Sequence, residues 1–352
     1  MKQSETTKNV TEKRSTKEKY DSYLDIIWTS LIFFVIIGTG FMMNPVFEFR
    51  KKLIENNSTY EFPKVTGLIL SLFIFIVLSI SQLLLCSLFK KTIVEKTLAL
   101  KYVNAKDEKM EMLANIYRTK LSIHLYKASF YLLLSIYGFI VLKDYDFFPK
   151  SLLGKGQLEN MFLKGYPQTF YFKRTYYFDL YYLMNLGYYF SDFACLLLNE
   201  KQSDFILMLL HHICTISLIL FSYLSNFCQV GAVVLFLHME SDIFVHSTRY
   251  LLHTRFPAIF AEISGVILTI NFIYMRIFVF GKIIYVIYYY ITWEWGNIVW
   301  SLWLFLVFLF FMHIYWSYAL LFKAYELLFK AKLFEDTANY NKTLNKKIDK
   351  EK

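Results

Sequence analysis

Apolar residues fall in long blocks separated by short charged stretches. A helix needs about 20 apolar residues to cross the hydrocarbon layer, and block after block meets that length. Segment 24–43 qualifies, and segment 65–89 runs without a charge. Segment 121–142 carries His124 and Lys127 near its start, and segment 174–198 is tyrosine-rich with Asp179 and Asp192 inside it. The stretch 205–250 is too long for one crossing; Ser225 and Asn226 mark where it breaks in two. Segment 258–283 holds Arg276, and segment 296–322 has His313 as its one potential charge. The pattern predicts an all-α polytopic transmembrane bundle of about eight spans. The Lys-, Glu-, Thr- and Asn-rich tails, 1–20 and 335–352, have little to bury and are expected to be disordered. Residues 90–120 are expected to form a charged helical connector. There is no internal repeat, glycine-rich phosphate loop or GxSxG.

Composition narrows the class. Hydrophobic residues make up 56% of the 352, aromatics 20% and charged residues 19%, against about a quarter charged in soluble domains. Mean hydropathy is +0.38. This excludes a disordered chain, a disulfide scaffold and a conventional soluble enzyme. The four cysteines, Cys86, Cys195, Cys214 and Cys228, lie in apolar stretches without CxxC spacing and read as small hydrophobes. The net charge of +10 belongs to topology and anionic lipid headgroups, not to nucleic acid. One alternating set of loops and tails carries 25 Lys and Arg, the other 10. Both termini are therefore expected in the cytosol. The sequons at Asn56 and Asn57 then fall on the far side, open to glycosylation, and those at Asn9 and Asn341 stay bare. The first apolar run begins after some twenty polar residues, so no signal peptide is expected.

Ionisable groups at membrane depth are costly and mark function by default. They concentrate in residues 201–249. At 100° per residue, Asp204, His211, Thr215 and Ser222 share one stripe within about 40°. On the next span Gly231, His238, Asp242 and Arg249 share another, with Ser241 at its edge. Met239 lies about 100° off this second stripe and Glu240 nearly opposite it. Two antiparallel helices would thus face each other across a polar seam, with His212 beside it. A histidine is the usual general base near neutral pH and can also accept an acyl group; a nearby carboxylate can fix its tautomer. The set fits acyl transfer with lipid tails held in the membrane. His124 and His313 read as interhelical hydrogen bonds, Thr215 and Ser222 as packing hydroxyls, and the tyrosine run 176–190 as interfacial belt and packing. Arg276 either neutralises an acidic partner or touches a substrate headgroup. A metal oxidase would need HxxxH and HxxHH spacings, which the seven histidines do not make, so no metal is expected. A transporter would more often show repeats and broken helices.

The stretch 201–250 resembles the Lag motif of ceramide synthases, within the TLC-domain family. Lys201, Asp204, Phe205, Met208, His211, His212, Ser222, Asn226, His238, Ser241, Asp242 and Arg249 match its pattern. Residues 181–190, Gly165-Tyr166-Pro167 and the set Phe272, Arg276 and Phe280 are similar to flanking parts of the family, and the resemblance covers about 110–335. The aspartate that follows the third histidine in the family is Met239 here, and His246 and Arg249 stand where Glu and Lys are common.

The resemblance implies a TLC-type bundle over 121–325. Before it come a basic cytosolic tail (1–23), an extra span with its luminal loop (24–64), and a second span with its connector (65–120). A basic tail (326–352) follows. It implies transfer of a fatty acyl group from acyl-CoA, a co-substrate rather than a cofactor, to the amine of a sphingoid base in the endoplasmic reticulum membrane. His211, His212, His238 and Asp242 would be catalytic. Lys201, Asp204, Ser222, Asn226, Ser241, Arg249 and Arg276 would meet substrate; Lys201, Arg249 and Arg255 at the cytosolic mouth could meet coenzyme A phosphates. The loop around 289–297 would tune chain length. Membrane lipids are further expected partners, and a homo- or hetero-dimer is compatible. The alternative is a non-catalytic TLC protein that binds lipid or acts as a chaperone.

Overall fold

The computed structural model describes residues 37–99, 108–198, 204–292 and 296–330. Both tails, residues 24–36 of the first expected span, Lys201 and part of the 289–297 loop lie outside them. Among the described residues the regular structure is helical, without a strand. Helix α1 covers 37–56, α2 Gly67–Thr97 and α3 Glu108–Leu142. Then come α4 Tyr176–Leu198, α5 Phe205–Leu224 and α6 Cys228–Leu251. The last two are α7 Ala258–Tyr290 and α8 Gly296–Lys330. Six of these, all but α1 and α4, are long and apolar enough to cross a bilayer. Helix α4 has the length, 23 residues, but its tyrosines and two aspartates dilute its hydropathy. The chain is a multi-pass helical membrane protein.

Residues 44–56, expected as loop, continue α1. The reason is a second pattern within that stretch: Met42, Val46, Phe49 and Leu53 recur at helical spacing and are all buried, while Lys51, Lys52 and Glu55 point outward. The tyrosines of α4 are also not where a belt would put them. Tyr176 and Tyr177 are exposed, but Tyr181, Tyr182, Tyr188 and Tyr189 are buried inside the bundle. They fill space between helices while keeping a polar tip.

The break between α5 and α6 falls where Ser225 and Asn226 predict it. Asn226 takes a positive φ of 59°, a region that Asn tolerates better than most residues. Its Oδ1 accepts from Arg174 at 2.6 Å, and its Nδ2 donates to Tyr60 Oη at 3.1 Å and to the Phe170 carbonyl. Arg50 meanwhile donates to the Leu224 and Pro63 carbonyls. These bonds bind three connections at one end of the bundle. The α3–α4 connection closes that end, with Phe147, Phe148, Leu158, Phe162 and Phe170 all buried. Asn226→Ala is expected to cost about 2–3 kcal/mol, because it orphans buried partners and strains the backbone; the thermal midpoint of detergent-solubilised protein checks it.

At the other, more basic end, Val94 and Leu98 pack with Leu113, Tyr117, Leu121 and Tyr250 in a small separate core. Arg255 N donates to Thr97 O at 2.7 Å, and Ala99 N to His253 O at 3.1 Å. Helices α2, α3 and α6 are thus tied together at that end.

Candidate active site

Neighbouring residues on a helix point 100° apart, so His211 and His212 serve different partners. His211 faces α6 and α8. Its ring stacks on His238 at 6.2 Å and 21°, and meets Trp316 edge-on at 5.4 Å. His212 faces α4, edge-on to Tyr189. Both rings are buried, and neither Nδ1 has a hydrogen-bond partner.

The expected seam between two helices is in fact built from four. Helix α8 contributes His313, whose Nε2 lies 3.2 Å from His238 Nε2. Helix α7 contributes Arg276 from a widened π-type turn, Tyr274–Val279. This wider turn is a local departure from α geometry common at functional sites. Arg276 is 2% exposed and uses its whole fork. Nε donates to Ser241 Oγ at 2.8 Å, Nη1 to His313 Nε2 at 3.2 Å, and Nη2 to Asp242 Oδ1 at 2.5 Å and His238 O at 3.2 Å. Of the two readings open for Arg276, pairing with an acid is the one seen.

This completes one expectation and corrects another. His313 makes the interhelical hydrogen bonds expected of it, but they place it inside the cluster, between His238, Arg276 and Trp316. Asp242 does not reach a histidine; its carboxylate is held by Arg276, with 20% of its side chain exposed. No sequence signal joined His313 to the motif, because 75 positions separate it from His238.

The protons in this cluster are constrained. His238 Nδ1 lies 2.7 Å from the Val234 carbonyl and therefore donates to it. Its Nε2 faces His313 Nε2, which already accepts from Arg276. One proton has to lie between the facing nitrogens for that contact to be a hydrogen bond.

A narrow, mostly aliphatic seam of about 30 Å³ leads from His238 and Tyr189 toward Phe227 at the far end. Leu218, Val234, Leu302 and Leu306 form its walls. Ser222 lines it too, but its hydroxyl bonds Tyr182 at 2.5 Å. Thr215 also lines it, with its Oγ1 unpartnered.

The remaining expected substrate residues scatter. Asn226 belongs to the far-end turn described above, its amide fully used, and lies apart from the histidines. Asp204 stands half-buried at the N-cap position of α5 without a capping bond. Arg249 is half-buried on the last turn of α6, and Arg255 is exposed just beyond it. Glu240 turns away as its angle predicts and accepts from Asn271 through both oxygens at 3.0 Å. His124 does make an interhelical bond, Nδ1 to His246 Nδ1 at 3.0 Å. Among the described residues no group of three or more His, Cys, Asp or Glu side chains is placed to hold a metal ion.

The TLC-domain family profile matches residues 120–321, and the chain belongs to that family. Its curated relatives include human ceramide synthase 5, 29% identical over 159 residues, or 44% of this chain and 40% of the relative. The sphingosine N-acyltransferase lag1 of Schizosaccharomyces pombe is 30% identical over 129 residues, covering 37% and 32%. Ceramide synthase LOH2 of Arabidopsis thaliana is 41% identical over 71 residues, covering 20% and 24%. The matches thus span between a quarter and two fifths of these relatives' lengths.

Proposed function

We propose that this protein is an N-acyltransferase that joins a fatty acyl group from acyl-CoA to the amine of a sphingoid base. The observation that carries this reading is the placement of His211. Its Nδ1 is buried and uncommitted, and its ring stacks on His238, which lines the aliphatic seam. The names of the relatives supply the substrate classes.

The acyl chain lies along the seam with its thioester at the histidines. The seam is narrow, so an entering chain separates its walls. The amine arrives protonated and must lose a proton before it attacks. Attack on the thioester carbonyl forms the amide C–N bond and breaks the C–S bond, and the thiolate of coenzyme A takes up a proton as it leaves. Two routes satisfy this balance. His211 acts as base for direct attack, or it first accepts the acyl group with release of the thiol and then passes it to the amine. Intact mass after incubation with acyl-CoA alone separates them, since only the second adds the acyl group to the protein. Coenzyme A reaches the site from the basic end, where Arg249 and Arg255 stand. That end faces the cytosol in an endoplasmic reticulum membrane, with both termini on the same side.

The test is purified protein given mixed acyl-CoAs and sphinganine, read by thiol release and by mass spectrometry of the products. Release of thiol only when the base is added, with amide products, supports the reading. Binding of both lipids without release supports a non-catalytic protein instead.

The seam makes a further prediction. A Cβ on Gly231 would fall 1.9 Å from Tyr182 Oη. Gly231→Val therefore displaces the Tyr182 ring and disturbs the seam it lines. Incorporation of long acyl chains is expected to fall about tenfold relative to short ones, a loss of about 1.4 kcal/mol in differential binding. The product distribution from mixed acyl-CoAs measures it.

A further inference from the structure

On the side of His212 away from the cluster lies a charge pair that the motif does not contain. Asp192 of α4 is 5% exposed. Its Oδ1 is in contact with Lys127 Nζ of α3, and its Oδ2 lies 3.7 Å from His212 Nε2. Among the described residues it is the only carboxylate within 4 Å of a ring nitrogen of His211, His212, His238 or His313. Position 239, next to His238, is a fully buried Met, and Asp242 is held by Arg276.

Such a pair is a poor choice for packing alone. Desolvating two charges often costs more than their attraction returns, and apolar side chains would join α3, α4 and α5 at least as well. What a carboxylate does here that a leucine cannot is act on an imidazole. It favours the tautomer with the proton on Nε2 and leaves the lone pair on Nδ1. The Nδ1 of His212 is buried and without a partner. At 3.7 Å the contact is an ion-pair distance rather than a hydrogen bond; a small ring rotation or one bridging water completes it.

We propose that Asp192 is a positioning residue for the adjacent histidines, holding His212 through Nε2 so that its Nδ1 lone pair stays presented, with Lys127 keeping the carboxylate ionised. The kinetic consequence rests on the acyl-transfer reading; the structural one does not. Helix α4 thereby supplies the carboxylate contact to this histidine pair that α6 does not.

The experiment uses the full chain in nanodiscs, labelled with ¹⁵N-histidine, as wild type, Asp192→Asn, Asp192→Glu and Lys127→Met. In wild type the His212 resonances are expected to report the Nε2–H tautomer, and in Asp192→Asn that preference is lost. Turnover in Asp192→Asn falls between about tenfold and a hundredfold, with KM for acyl-CoA within about twofold, and Asp192→Glu restores part of it. Should Asp192→Asn fail to fold, Asp192→Asn with Lys127→Met removes both charges and carries the tautomer measurement. An unchanged His212 tautomer, or a turnover loss that only follows the folded fraction, overturns the proposal. A wild type without any acyl transfer but with the tautomer change in Asp192→Asn would sink the acyl-transfer reading and leave the positioning role standing.

Discussion

His211→Ala is expected to lower acyl transfer to sphinganine by about a thousandfold or more, while the protein remains folded in detergent. Removing a general base typically costs 10²–10⁴ in rate, and removing an acyl acceptor closes the covalent route altogether. The structure explains why no neighbour takes over. His212 is turned toward α4. His238 is committed to Val234 and His313, and His313 to Arg276. His211 alone among these four combines an uncommitted Nδ1 with a ring stacked on His238. Alanine leaves a void beside Trp316, so His211→Gln, closer in volume, serves as the companion. Both variants are expected to lose turnover alike, measured as thiol release per folded protein. If either keeps more than a tenth of wild-type turnover, His211 is neither acceptor nor base.

Arg276→Met is expected to destabilise the protein by about 3–5 kcal/mol, the range found when one member of a buried ion pair is removed. The loss is large because one guanidinium serves four acceptors on two helices. Without it the Asp242 carboxylate, the His238 carbonyl and His313 Nε2 all lose a donor at once. Arg276→Lys is not a conservative substitute, since an ammonium on a flexible stem cannot reproduce the planar fork. Adding Asp242→Leu to Arg276→Met removes the stranded carboxylate and is expected to recover about half of the lost stability. Denaturant or thermal unfolding of the solubilised protein gives the comparison. A loss under about 1 kcal/mol would mean that the cation is dispensable to the fold. Turnover of the double variant should stay low, because His313 still lacks its donor.

The parts legible in the sequence are those governed by one helix at a time. Apolar length gave the spans 65–89, 121–142 and 296–322, since crossing distance depends on residue count alone. The 3.6-residue period placed His211 with Thr215 and His238 with Asp242, and turned Glu240 away, because angles within a helix are fixed by its backbone. Turn chemistry marked Ser225 and Asn226 as the break. Even so, the extension of α1 to residue 56 escaped a reading by hydropathy, its apolar face being diluted by charges on the other. What only the tertiary structure decided is which faces meet. His313 joins His238 across 75 positions, Arg276 ties α7 to Asp242, and Asp192 reaches His212 from α4. In a bilayer, lipid is as apolar as leucine, so hydrophobicity does not tell one helix face from another; packing shape and paired polar groups make that choice, and neither is written in a single span.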